Sequence, residues 1–183
     1  IRYSYHVAGT VGLMMSKIIG VTDKNAQPCA VDLGIAMQLT NIVRDVYEDA
    51  KMKRVYIPSE LIPNIDLSIL NGRREMNFQQ EKKISDAINK LIDLSEIFYN
   101  NGFSGLKYIP LKTRLGILIA ANVYRGIGIK IKKGGQKYFT KRIYLNTYEK
   151  TLITIRSIFI FIFLPILNFK YLNFRDKLPN ENL

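Results

Sequence analysis

The chain has 183 residues, 48% hydrophobic and 23% charged, an ordinary globular balance that suits one domain with a buried core. Its lone Cys29 rules out an internal disulfide and fits a reducing compartment, and Cys29 with the single His6 falls short of the four N/S ligands of structural zinc. A net charge of +12 favours nucleic acid, anionic membrane or phosphorylated substrates as partners, against the plainer reading of compositional bias in a Lys-, Ile- and Asn-rich chain.

Apolar residues recur at helical spacing and strand-like alternation is scarce, which predicts an all-α fold. The chain opens on Ile1, already inside what reads as a packed element, so a fragment lacking its N-terminal helices is expected. A first helix is predicted over about residues 3–19, where Ala8, Gly9 and Gly12 permit close backbone approach. A second covers about 26–50, and a loop with Pro58 and Pro63 follows over 51–64. A third covers about 77–99, with Ile84, Ile88, Leu91, Ile92 and Ser95 on one side, and stops at Asn100-Asn101-Gly102 as a C-cap. A fourth covers about 111–131, before Gly134-Gly135, and a last about 147–168. Within that last helix residues 157–167 are apolar apart from Ser157, interrupted by Pro165 and bracketed by Arg156 and Lys170. A spanning helix needs about 20 apolar residues. The stretch is therefore a buried helix or one lying at a membrane interface.

The chemistry concentrates on the second helix. At about 100° per residue, Gly34, Gln38, Asn41, Asp45 and Asp49 fall within a sector of about 80°, while Leu39, Val43 and Val46 form the packed side. Carboxylates at i and i+4 sit about 6 Å apart and repel. A divalent cation reverses that sign, and Mg²⁺ takes one or two carboxylates together with substrate phosphate oxygens. Asn41 adds a neutral oxygen; Arg44, Lys51, Lys53 and Arg54 stand ready for phosphate. The competing reading is a solvated acidic face paired with its basic neighbours.

Gln38-Leu-Thr-Asn-Ile-Val-Arg-Asp-Val-Tyr-Glu-Asp49, followed by Arg54-Val-Tyr-Ile-Pro58, resembles the second aspartate-rich motif of the squalene/phytoene synthase family. Tyr3-Ser-Tyr5-His6-Val-Ala-Gly-Thr-Val-Gly12 is similar to that family's tyrosine-valine-alanine-glycine helix, although His6 stands where many members have a second tyrosine. Tyr124-Arg125 and Phe139-Thr-Lys141-Arg142 resemble two further stretches, so the matches run in family order over about three quarters of the chain. The family's first aspartate-rich motif is not among these residues.

The resemblance implies an isoprenoid-synthase-type helical bundle around a central cavity, with the whole chain as the C-terminal part of one head-to-head prenyl synthase domain. It implies condensation of two prenyl diphosphates through a cyclopropyl intermediate, with Mg²⁺ (or Mn²⁺) at Asn41, Asp45 and Asp49. Asp45, Asp49 and Tyr5 then carry the chemistry. Gln38 lines the same cavity, Arg44, Arg54, Tyr124, Lys141 and Arg142 fall at diphosphate-contacting or nearby polar positions, and Ala30 and Gly34 leave room for a prenyl chain or, alternatively, for a packed helix. Tyr3 and Tyr5 either face cationic carbon or pack between helices. The stretches are most like those of phytoene synthases using geranylgeranyl diphosphate in carotenoid biosynthesis; a squalene or dehydrosqualene synthase using farnesyl diphosphate is the alternative. By this reading the protein is peripheral to a membrane in a cytoplasmic or plastid-like compartment, binds no nucleic acid, and is inactive without the first motif. A basic membrane-surface or nucleic-acid-binding helical module is the reading from another class. It requires a basic stripe, but the densest run, Lys130 to Lys133, is short and the acidic column opposes it.

Overall fold

The computed structural model describes residues 1–134 and 142–163, which are helices and connecting loops without a strand. The fold is the expected all-α bundle. Helix α1 (Arg2–Ser4) continues through a π-helical stretch, Tyr5–Gly9, into α2 (Thr10–Ile18), so the predicted first helix is present with one widened turn. Helices α3 (Ala26–Arg44) and α4 (Val46–Lys51) replace the single helix expected over 26–50. The chain bends at Asp45 (φ −102°, ψ 11°), although the Asp45 N–H still donates to Asn41 O and the Asp49 N–H to Asp45 O. The bend has a local cause. Arg44 grips its own neighbour, Nε and Nη2 donating to the two Asp45 oxygens at 2.8 and 2.6 Å. Successive side chains on a regular helix do not face one another, so a forked pair between them needs the backbone to turn.

After the proline loop comes a single turn that the sequence pattern does not suggest, α5 (Leu67–Leu70), capped by Asp66 accepting from the Ser68 N–H. Helix α6 (Phe78–Ser104) begins on a capping box between Asn77 and Gln80. It runs past the predicted stop at Asn100-Asn101-Gly102. Gly102 is no cap: a Cβ there would lie 2.8 Å from Leu33 Cβ, and one at Gly105 would lie 2.4 Å from Cys29 Cβ. These glycines seat α6 against α3. A 3₁₀ turn (Gly105–Tyr108) leads to α7 (Leu111–Lys133), capped by Gly134 as predicted, and then to α8 (Thr147–Phe163). Residues 164–168 of the predicted last helix lie outside the described residues.

Helix α3 is the axis of the bundle, packed on α6, α7 and the N-terminal helix. Ile35, Ala36, Leu39 and Val43 meet Ile84, Ile88, Ile92 and Phe98, with Leu118 and Ile131 of α7 in the same core. Tyr99 is wholly buried, its hydroxyl 2.9 Å from Thr40 Oγ1, and burial holds its pKa well above the usual phenol value. Against the N-terminal helix the approach is backbone to backbone. A Cβ on Gly12 would sit 2.2 Å from Ala30 O, and one on Gly34 2.2 Å from Ala8 O. Helix α8 lies on α7, where Asn122 donates to the buried Ser157 hydroxyl at 3.0 Å. Its other side leaves Leu152, Ile155, Phe159 and Ile162 exposed. The 157–163 stretch is thus half packed and half open. Among the described residues no helix is long and apolar enough to cross a membrane.

The glycines give a paired test by urea denaturation. Gly34→Ala drives a methyl into the Ala8 carbonyl and should cost about 1–3 kcal/mol. Gly116→Ala adds a methyl, inside α7, where nothing among the described residues lies within 4 Å, and should stabilise by about 0.5–1 kcal/mol.

Candidate functional site

A cavity of about 690 Å³ opens between the N-terminal helix, α3 and α7. Val7, Val11 and Met15 form one wall, Ala30, Leu33 and Gly34 the floor, and Ile117 and Ala120 the far side. Gln38 and Asn41 of α3 and Tyr124 of α7 supply polar side chains to its lining, and Lys112 and Thr113 line it at the start of α7, about three turns from Tyr124. The sequence reading of Ala30 and Gly34 left two alternatives, cavity floor or helix packing. The structure places them in both settings at once: each lines the cavity, and each touches the N-terminal helix.

The acidic motif continues from the polar end. Asn41 Nδ2 donates to Gln38 Oε1 at 3.4 Å, whereas Asn41 Oδ1 is buried without a partner among the described residues. Asp45, one turn on, is held by Arg44 and also by Arg142, whose Nε lies 2.9 Å from Asp45 Oδ1 as a charge contact rather than a hydrogen bond. Arg142 Nη1 reaches Glu48 Oε2 at 3.4 Å. Asp49 stands differently. Burial, with the negative charge of Asp45 and then of Glu48, pushes its pKa up, against the opposing pull of Arg54 and Arg142. The expected repulsion between the two carboxylates is present, since Asp45 raises the Asp49 pKa, but it falls unevenly: Asp45 has two arginines beside it.

Tyr124 joins this group from α7, the Arg44 guanidinium lying 6.0 Å from its ring centroid. That helix is set by the next residue: Arg125 is forked onto Glu96 of α6, with Nε to Oε2 at 2.8 Å. Arg54 is exposed, its backbone N–H donating to Asp49 O at 2.9 Å. Tyr3 stacks on Tyr56 at 5.0 Å between ring centroids, and its hydroxyl pKa is raised first by their hydrogen bond. Tyr5 packs on the core edgewise to His6, and neither Tyr3 nor Tyr5 contributes to the cavity wall. Lys141 lies outside the described residues; Arg142 lies within them. The sequence reading missed the α7 wall, whose Gly116 and Ala120 have the same four-residue spacing of small side chains as Ala30 and Gly34. It also missed Glu96, the partner that fixes Arg125.

Among the described residues no three His, Cys, Asp or Glu side chains gather to hold a metal by themselves. Two carboxylates and the unpartnered Asn41 oxygen form a sparse oxygen set, which fits Mg²⁺, an ion that keeps waters and takes substrate phosphates.

The family model for squalene/phytoene synthase matches residues 1–149. The chain is 38% identical over 157 residues to a 15-cis-phytoene synthase of Enterobacter agglomerans, covering 86% of this chain and 52% of that protein. It is 39% identical over 150 residues to a phytoene synthase of Pseudescherichia vulneris, covering 82% and 48%. Among solved structures, a dehydrosqualene synthase in complex with ligand superposes with a TM-score of 0.73 at 26% identity, covering 91% of this chain and 56% of that one. The chain belongs to the squalene/phytoene synthase family, a prenyltransferase-type family whose substrates are prenyl diphosphates. It spans about half the length of the curated relatives it matches.

The two aspartates should part on mutation, read by thermal melts against pH. An acid whose pKa is raised in the folded state favours folding below its unfolded pKa and loses that contribution as pH rises through the folded value. Asp49→Asn should therefore raise the melting temperature at pH 7, and the gain should vanish below the ordinary carboxylate range. Asp45→Asn removes the anion between two arginines and should lower it at pH 7.

Proposed function

We propose that this chain carries the second aspartate-rich half of a phytoene synthase, joining two geranylgeranyl diphosphates head to head through a cyclopropyl diphosphate. The observation that supports this reading is the placement of the acidic motif. An apolar cavity meets its polar end at Gln38, Asn41 and Tyr124, one helical turn from Asp45. A prenyl tail would lie over Ala30 and Gly34, with its diphosphate at the polar end.

Departure of diphosphate leaves an allylic cation, so the site must hold the leaving group and exclude water. Asn41, Asp45 and Asp49 would hold Mg²⁺, which supplies Lewis-acid stabilisation of the departing diphosphate. Arg44, Arg54, Lys141 and Arg142 would neutralise diphosphate oxygens, and Gln38 and Tyr124 would orient them. Val7, Val11, Met15 and Ile117 would give the tail an apolar wall. Tyr5, on the widened turn, would face cationic carbon once both substrates are seated. Turnover is proposed for a protein that also supplies the first aspartate motif. The likeness to a dehydrosqualene synthase supports a second reading, the same chemistry on farnesyl diphosphate.

A test on this chain is calorimetric binding of geranylgeranyl thiodiphosphate. Binding should require Mg²⁺ and be reversed by EDTA. Ala30→Leu should weaken it while sparing the farnesyl analogue. Metal-independent binding would reject the Mg²⁺ assignment, and equal loss of both analogues would reject the tail path over Ala30.

Peripheral membrane contact belongs to the same proposal. The outward face of α8, Leu152, Ile155, Phe159 and Ile162, is apolar, and the chain carries +12. Basic residues near an anionic surface add about 1 kcal/mol each at low salt. Sedimentation with phosphatidylserine vesicles should pull the chain down at low salt and release it at high salt. Failure to bind at low salt would leave α8 without a lipid role.

A further inference from the structure

Asp45 has more cationic company than one carboxylate needs. Arg44 alone supplies two short directional hydrogen bonds from the end of α3, with its side chain 13% exposed. Arg142 is attached in another way. Its Nε is buried 2.9 Å from Asp45 Oδ1 yet makes no hydrogen bond among the described residues, and its Nη1 stands 3.4 Å from Glu48. It belongs to no helix, lying in the irregular stretch before α8, and its guanidinium carbon is 5.4 Å from the Tyr144 ring centroid. Arg142 is thus held by charge, on a loop, beside a carboxylate that already has a better partner.

Among the described residues, the acids and the arginines that act on them match in number. Asp45, Glu48 and Asp49 face Arg44, Arg54 and Arg142, three acids to three arginines. A divalent cation at Asp45 and Asp49 would leave two positive charges in excess within a partly buried patch. Either a resident cation must withdraw or an anion must arrive. Arg44 is tied by geometry and by the bend at Asp45; Arg142 is tied by neither.

We propose that Arg142 is an exchangeable counter-ion: it neutralises Asp45 and Glu48 while no metal is bound, yields that place to the divalent cation, and then turns to the diphosphate arriving with it. This rests on the metal reading above and adds an order to it. Arg142 opposes binding of the metal alone and favours binding of metal with diphosphate, two effects of opposite sign on one side chain. A residue that only propped the loop would change both in the same direction, and a plain phosphate ligand would leave the metal-only affinity unmoved.

The experiment is Mn²⁺ binding to the 183-residue chain, with free ion counted by electron paramagnetic resonance, with and without inorganic pyrophosphate. Arg142→Gln should bind Mn²⁺ alone more tightly than the unmodified chain, by about two- to fivefold, the scale of one partly exposed ion pair. With pyrophosphate present the variant should bind less tightly by a similar factor. Arg142→Met, uncharged and of comparable length, repeats the comparison should the glutamine variant lose its helical circular dichroism. Unchanged or weaker Mn²⁺ binding in a folded variant would overturn the exchange and leave the metal site standing. Absence of Mn²⁺ binding in every form would overturn the metal reading and the exchange together.

Discussion

Helix α3 and the N-terminal helix touch backbone to backbone because Gly12 and Gly34 carry no side chain, and a Cβ on either would stand 2.2 Å from a carbonyl oxygen of the other helix. Gly102 and Gly105 do the same on the α6 side, against Leu33 and Cys29. All four glycines also line the cavity. One set of missing side chains therefore has two effects. It draws three helix backbones together, where dispersion and burial are strongest, and it leaves an apolar hollow where side chains would otherwise reach toward α7. The packing and the cavity are one arrangement, so a larger residue at Gly34 acts on stability before it acts on any ligand.

The rigid axis sets the charges at its end. Helix α3 delivers Gln38, Asn41 and Arg44 along one side, and the bend at Asp45 passes the motif to α4. Within a few residues the chain goes from a core whose side chains are almost wholly buried to a cluster of three acids and three arginines. Asp45 sits between two guanidinium groups, whereas Asp49 bears a burial penalty that Arg54 and Arg142 only partly offset. Such inequality between neighbouring carboxylates is what an incoming cation would relieve. The unpartnered Asn41 oxygen points to the same need, since an acceptor left unpaired in a buried place costs free energy until something fills it.

Other ion pairs hold the frame without entering the site. The Arg125–Glu96 fork joins α7 to α6 beside Tyr124, and Lys130 joins α7 to Glu149 of α8 at 2.7 Å. Both pairs are partly exposed, so each contributes modestly to stability. Their larger effect is positional: they fix the rotation of α7 and so the side on which Tyr124 meets Arg44. On α8 the division between Ser157, buried on Asn122, and the open row from Leu152 to Ile162 shows one helix serving two environments.

Much was legible in the residues themselves. Periodicity marked every long helix, because an apolar stripe at helical spacing has few other uses. The column from Gly34 to Asp49 could be drawn from spacing alone, and Gln38, Asn41 and Asp45 do follow one another along the end of α3. What the sequence could not decide was who answers whom. Arg142 lies nearly a hundred positions from Asp45, and nothing in a one-dimensional pattern says that its charge returns to that carboxylate. Gly102 looked like a helix end, since a glycine that caps and a glycine that admits a neighbouring helix read alike until Leu33 is placed against it. Local preference is written in neighbouring residues and so is visible early. Close approach and charge pairing depend on groups far apart in the chain, and only folding brings them within the few ångströms over which they act.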